Sequence, residues 1–190
     1  FIAVDAPPNL EDSYPFVAVA RCLAAIGMNV PEVFSFDLEQ GFMLLTDFGD
    51  DLYHQILNEK NATLLYSKAL DDLLKLQMCE PPNDLELFHF DKSFMANELL
   101  HFRSWFLERH LEIKIDDNLD QLLSETFEKL LSLANSQPQC LIHRDYHSKN
   151  LMNLSDERVG VLDFQDAAWG PVTYDAVSLL RDCYIVWSEE

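Results

Sequence analysis

What most constrains the fold of this chain is the order in which its hydrophobic periodicity changes. Phe1 to Asp5 is a short apolar run stopped by Pro7-Pro8, which reads as a strand. PFVAVARCLAAIG follows, with Pro15 suited to a first helical turn and Gly27 to its C-terminal stop. PEVFSFD and GFMLLTDFG then read as an antiparallel strand pair around Glu39-Gln40-Gly41. Beyond Asp51 the period becomes helical: NATLLYSKALDDLLKLQ places Leu64, Leu65, Ala69, Leu73, Leu74 and Leu76 on one face. KSFMANELLHFRSWFLERHL and NLDQLLSETFEKLLSLA repeat the pattern, and these leucine and aromatic stripes are expected to be core faces. After Pro138 short apolar runs return around a polar loop, CLIHRDYHSKNLMNL, then a strand, RVGVLDF, and an expected last helix, TYDAVSLLRDCYIVW. This order predicts an α+β fold of two lobes joined near Thr46 to Asp51. Residues 1–48 form a small β-rich lobe, and residues 49–190 form a helical lobe that carries the chemistry.

Composition narrows the class. The 190 residues carry a formal charge of −20, which repels nucleic acid and anionic membrane, so neither is expected as a partner. Arg21 is the one Lys or Arg in the first fifty positions. Cys22, Cys79, Cys140 and Cys183 are far apart, form no C-x-x-C, and read as buried free thiols of a reducing compartment. No apolar run reaches the roughly 18 residues of a membrane helix, so a cytoplasmic location is expected. The chain opens inside a strand without Met and closes inside an apparent helix, as a fragment of a longer protein would.

The polar loop supplies the chemistry. His143, Asp145 and Asn150 fit H-x-D-x-x-x-x-N, and Asp163 follows in LDFQD at the end of the next strand. Phosphoryl transfer needs a base beside the attacking hydroxyl and hard oxygen ligands for Mg²⁺ close by. In the catalytic-loop pattern of kinases, Asp145 takes the proton, while Asn150 and Asp163 hold the metal. His143 is read as a structural brace for the loop. His143 and His147 are four apart, but H-E-x-x-H is absent, as is G-x-S-x-G. Zinc proteolysis and serine hydrolysis therefore have no support.

HRDYHSKNLM followed by VGVLDFQDAAWGPVTYDAVSLLRDCY resembles the aminoglycoside-phosphotransferase-like kinases. His147, two places after Asp145, is typical of them. DAPP, GFMLLTDFGD and DFQDA…GPVTYD resemble more narrowly the bacterial cell-wall sugar kinases acting on N-acetylmuramate and N-acetylglucosamine. The resemblance implies a protein-kinase-like fold, here without its first small-lobe strands and its last helices. It implies ATP and Mg²⁺ as cofactors, Asp145 as base, and Asn150 and Asp163 as metal ligands. Thr46, Asp47 and Phe48 fall where the hinge meets adenine. Arg144 and Asp166 are candidates for substrate contact, Asp175 for structural support through hydrogen bonds, and Lys149 reads as a solvated lysine. The acceptor would be an amino sugar, at its anomeric hydroxyl, in peptidoglycan recycling.

Two departures stand beside the resemblance. FIAVDA lacks the phosphate-gripping lysine of a protein kinase's third strand, and the first helix lacks a Glu to pair with it. Arg21 is a candidate substitute. No A-P-E follows Asp163, which argues against a protein kinase. An aminoglycoside phosphotransferase and a nucleotide-binding pseudokinase remain as alternatives.

Overall fold

The computed structural model describes residues 1–81 and 85–188. Its first elements are β1 (Ile2–Asp5), α1 (Tyr14–Ala25), β2 (Val33–Asp37) and β3 (Phe42–Leu45). The strands form an antiparallel sheet in the order β1-β3-β2. Pro15 lies in the first turn of α1, where its missing N–H costs nothing. At the other end Gly27 has φ 79° and donates its N–H to the Ala24 carbonyl at 3.0 Å, the left-handed stop that glycine allows. Gly41 closes the β2–β3 turn at φ 78°; a Cβ there would lie 2.0 Å from the Ala6 carbonyl oxygen, so no side chain fits.

The rest of the chain is built on helices: α2 (Tyr53–Ile56), α3 (Ala62–Gln77), α4 (Lys92–His101), α5 (Asp117–Asn135) and α6 (Tyr174–Leu180). Short strands β4 (Phe88–His89), β5 (Gln139–Ile142) and β8 (Ala168–Pro171) form a second sheet, ordered β4-β8-β5. β6 (Leu151–Asn153) and β7 (Val159–Val161) pair antiparallel beside it. Asp91 and Asp116 cap α4 and α5 by accepting the N–H groups of Phe94 and Leu119, each at 2.9 Å.

One main core joins these elements. α3 buries Leu65, Ala69, Leu73 and Leu76, which share a cluster with Leu141, Leu151, Val161 and Leu179. The expected α3 face is thus partly corrected: Leu64 is 56% and Leu74 57% exposed. The stripes of the next two helices are corrected more fully. Met95 and Leu131 are buried, but Leu100, Trp105, Phe106, Leu122, Leu130 and Leu133 are exposed. Periodicity marks which face is apolar and not what lies opposite it. The helix also changes register after His101 and continues as a π-helix over Phe102–His110. There the aromatic residues stack on one another, Phe102 on Phe106 at 5.3 Å and Phe106 on His110 at 5.8 Å.

The last expected helix ends early, at Leu180. Asp182 turns back instead, accepting the Ser148 N–H at 3.0 Å and the Tyr184 N–H at 2.7 Å. Cys183 is therefore exposed, against expectation, while Cys22, Cys79 and Cys140 are buried. The expected helix reaches Trp187; Glu189 and Glu190 lie outside the described residues. The Cys22 and Cys79 sulfurs meet at 3.1 Å as a thiol hydrogen bond between α1 and the end of α3.

Further contacts fasten the opening segment to the helical part. Asn29, just after α1, accepts the Val161 N–H at 2.8 Å and donates its side-chain amide to the Val159 carbonyl at 3.0 Å. Phe48 lies against Gly160, where a Cβ would come within 2.8 Å of its ring. No helix among the described residues is long and apolar enough to cross a membrane.

Candidate active site

The β5–β6 connection, residues 143–150, is held from three directions. Asp175, at the start of α6, is fully buried. Its carboxylate accepts the backbone N–H of His143 at 2.6 Å and that of Arg144 at 3.0 Å. Burial raises its pKa to about 6, and the two donated hydrogen bonds oppose that rise. From the opposite side His143 Nε2 meets the Leu162 carbonyl at 2.8 Å, and His143 Nδ1 accepts the Asp145 N–H at 3.3 Å. The ring is therefore neutral with its proton on Nε2. Asp182 supplies the third tie, through Ser148.

This bracing brings together the four residues singled out by spacing. Asn150 donates its side-chain amide to the Asp145 carbonyl at 3.0 Å and lies 3.3 Å from Asp163 Oδ2. Asp163 Oδ1 accepts from Gln165 at 2.8 Å. The Asp145 carboxylate is exposed and takes no hydrogen bond from the described residues. Arg144 and Asp163 both have left-handed backbones, φ 77° and 62°, a conformation that non-glycine residues adopt at a cost and that clusters at functional sites. The stacked pair Phe16 and Phe164, centroids 4.8 Å apart, places α1 against the segment that carries Asp163.

The donor set suits a hard divalent cation. Asn150 spends its amide nitrogen within the loop and keeps Oδ1 as an acceptor, while Asp163 offers a carboxylate. Mg²⁺ takes few protein oxygens and leaves its other positions to water and phosphate. Among the described residues no group of three or more His, Cys, Asp or Glu forms a metal cluster.

The remaining candidates lie around this centre. Thr46 exchanges hydrogen bonds with Glu32: its N–H donates to the Glu32 carbonyl at 3.0 Å, and its hydroxyl oxygen accepts the Glu32 N–H at 3.1 Å. Asp47 Oδ1 accepts the Gly49 N–H at 2.9 Å. Arg144 and Asp166 line a cavity of about 620 Å³ with Asp12, Tyr14, Phe94 and Gln165. Lys149 is stacked on Tyr184, its ammonium 3.8 Å from the ring centroid. Arg21 lies 5.4 Å over Phe36 and lines a separate cavity with Cys22 and Cys79. Asp182 escaped the sequence reading altogether; only its distance of 34 positions from Ser148 separates it from a local cap.

The neutral state of His143 has a consequence for pH. Burial lowers its pKa to about 4 from an ordinary 6.5. A depressed histidine binds its proton more readily when unfolded, so its contribution is complete above about pH 6.5 and is lost as pH falls towards 4. The loss amounts to about 1.4 kcal/mol per pH unit in that window. Denaturant unfolding at pH 7 and pH 5 is expected to show the wild type losing about 2 kcal/mol more than His143→Gln between the two. Equal losses would contradict the buried neutral ring.

Known proteins resemble this chain along its whole length. The phosphotransferase enzyme family (APH) matches residues 1–190. N-acetylmuramate/N-acetylglucosamine kinase of Pseudomonas aeruginosa is 40% identical over 188 residues, covering 99% of this chain and 55% of that protein. The protein of the same name in Neisseria meningitidis is 36% identical over 193 residues, covering 100% of this chain and 56% of its own. The chain thus spans about half the length of these curated relatives. Among solved structures, ADP-bound aminoglycoside phosphotransferase APH(2'')-Ib superposes with a TM-score of 0.64 at 20% identity, over 91% of this chain and 61% of that one. APH(3'')-Id from Streptomyces rimosus, in complex with ADP and streptomycin, gives 0.64 at 15% identity over 98% and 73%. The family match runs the whole length of the chain, and the chain belongs to the APH phosphotransferase enzyme family.

Proposed function

We propose that the protein transfers the γ-phosphoryl group of ATP to the anomeric hydroxyl of an amino sugar, N-acetylmuramate or N-acetylglucosamine, in peptidoglycan recycling. The observation that carries this reading is the convergence of Asp145, Asn150 and Asp163 within hydrogen-bond reach of one amide side chain. The names of the relatives at 36–40% identity supply the acceptor class.

In this reading Asp145 accepts the proton of the acceptor hydroxyl as the oxygen attacks. Its carboxylate is suited to that task because it is exposed and not engaged by the described residues. Asn150 and Asp163 would hold Mg²⁺, which supplies charge stabilisation on the phosphoryl oxygens. Backbone groups of Thr46, Asp47 and Phe48 would meet adenine. His143 and Asp175 fix the loop from beneath, so that Asp145 needs no reorganisation when substrate arrives. The cytoplasm, where nucleotide is held, is the matching location.

Asp163→Ala in the full-length protein is expected to weaken Mg²⁺-dependent ATP binding about tenfold or more, read by calorimetry with and without the metal. Unchanged binding would remove Asp163 from the metal site.

A second reading, an aminoglycoside phosphotransferase, is favoured by the charge of −20, which attracts a polycation. ATP consumption against N-acetylmuramate, N-acetylglucosamine, kanamycin and no acceptor separates the two. An acid-labile sugar 1-phosphate, identified by phosphorus NMR, is the expected product; turnover of kanamycin alone would install the second reading. Nucleotide binding without turnover of any acceptor would make the protein a pseudokinase.

A further inference from the structure

Arg144 is a charged group beside the candidate site with a buried, unpartnered atom. It directly precedes Asp145, and Asp175 holds its backbone N–H. Its guanidinium lies 5.9 Å from the centroid of Phe90 and 5.5 Å from that of Phe94. Its Nε is buried without a hydrogen-bond partner, and among the described residues it forms no salt bridge. A guanidinium presents donors in a planar fork that matches a carboxylate. Burying part of that fork unpaired costs free energy.

The cavity into which this residue is built is chemically lopsided. Its volume, about 620 Å³, is in the range of small-molecule sites. Asp12, Glu86 and Asp166 line it, and Arg144 is the one basic side chain among its described lining residues. Gln165, which donates to Asp163 Oδ1 at 2.8 Å, joins it to the candidate metal ligand. Three carboxylates repel an anionic ligand from most of the wall. An acidic group on a ligand can be neutralised only where Arg144 lies.

We propose that Arg144 is a specificity-determining residue that reads a carboxylate on the acceptor sugar. This rests on the sugar-kinase reading above and sharpens it. N-acetylmuramate carries a lactyl carboxylate and N-acetylglucosamine carries none, so the ratio of kcat/KM for the two sugars reports the contact. Phe90 and Phe94 flank the guanidinium and support it by cation–π attraction.

The test uses the full-length protein. Arg144→Gln is expected to shift the kcat/KM ratio at least tenfold away from N-acetylmuramate, chiefly through KM. Arg144→Lys, which keeps the charge but not the fork, is expected to retain more of the ratio than Arg144→Gln. The wild type assayed with the lactyl carboxamide of N-acetylmuramate is expected to lose about tenfold as well, and this arm needs no folded variant. A parallel fall for both sugars, with the ratio within about twofold, or a carboxamide as good as the acid, would overturn the assignment and leave the sugar kinase standing. Turnover of neither sugar by the wild type would remove both.

Discussion

Asp145→Asn in the full-length protein is expected to lower kcat by about two to four orders of magnitude, the usual contribution of a positioned base. The melting temperature should stay within a few degrees of the wild type. The two halves of this expectation have separate structural grounds. The carboxylate is exposed, and no described residue donates a hydrogen bond to it. What the loop uses of Asp145 is its backbone: the N–H goes to His143 Nδ1 and the carbonyl to Asn150. Asparagine keeps both and cannot take a proton. Stopped-flow or steady-state ATP turnover alongside a thermal melt checks both parts, and normal turnover would remove Asp145 as the base.

Asp175→Ala is expected to do the reverse, acting first on stability. The carboxylate is fully buried, and its two oxygens each accept one backbone N–H at the head of the loop. Truncation leaves the buried His143 N–H and the half-buried Arg144 N–H without partners, at about 1–3 kcal/mol each. The total, about 2–6 kcal/mol, is a large part of a typical domain's stability. Urea unfolding of the full-length protein measures it. Asp175→Asn retains one good acceptor and should fall between alanine and wild type. Loss below 1 kcal/mol for alanine would mean that water replaces the carboxylate.

Much of this was legible from residue order. Pro15 and Gly27 bound α1 because each has a backbone preference that acts locally. The loop residues His143, Asp145 and Asn150 are close in sequence, so their spacing already limits their geometry. What escaped the reading depends on partners far along the chain. Asp182 looked like one more residue of an amphipathic helix, because Tyr184 and Val186 continue the apolar pattern past the point where the helix ends. Leu122, Leu130 and Leu133 form a stripe on α5 that predicts burial, yet all three are exposed. A stripe specifies an apolar surface and contains no information about whether another element reaches it. The Cys22 and Cys79 contact spans 57 positions and carries no spacing signal at all.

The attachment of Asn29 to β7 bears on which parts of the molecule can move as one body. A divide drawn at residue 48 follows the chain, but forces do not. α1 is stitched to the floor of the site at Asn29 and again at the Phe16–Phe164 stack. Its contact with the three-stranded sheet is the smaller buried patch of Val17, Met43 and Leu45. α1 gives Val19, Ala20, Cys22 and Leu23 to the main core and Val17 to the sheet's patch, so by packing it belongs with the floor. The Cys22 thiol contact ties the same helix to the end of α3. Residues 14–29 therefore pack as one unit with residues 158–164, although 129 positions separate Asn29 from Arg158.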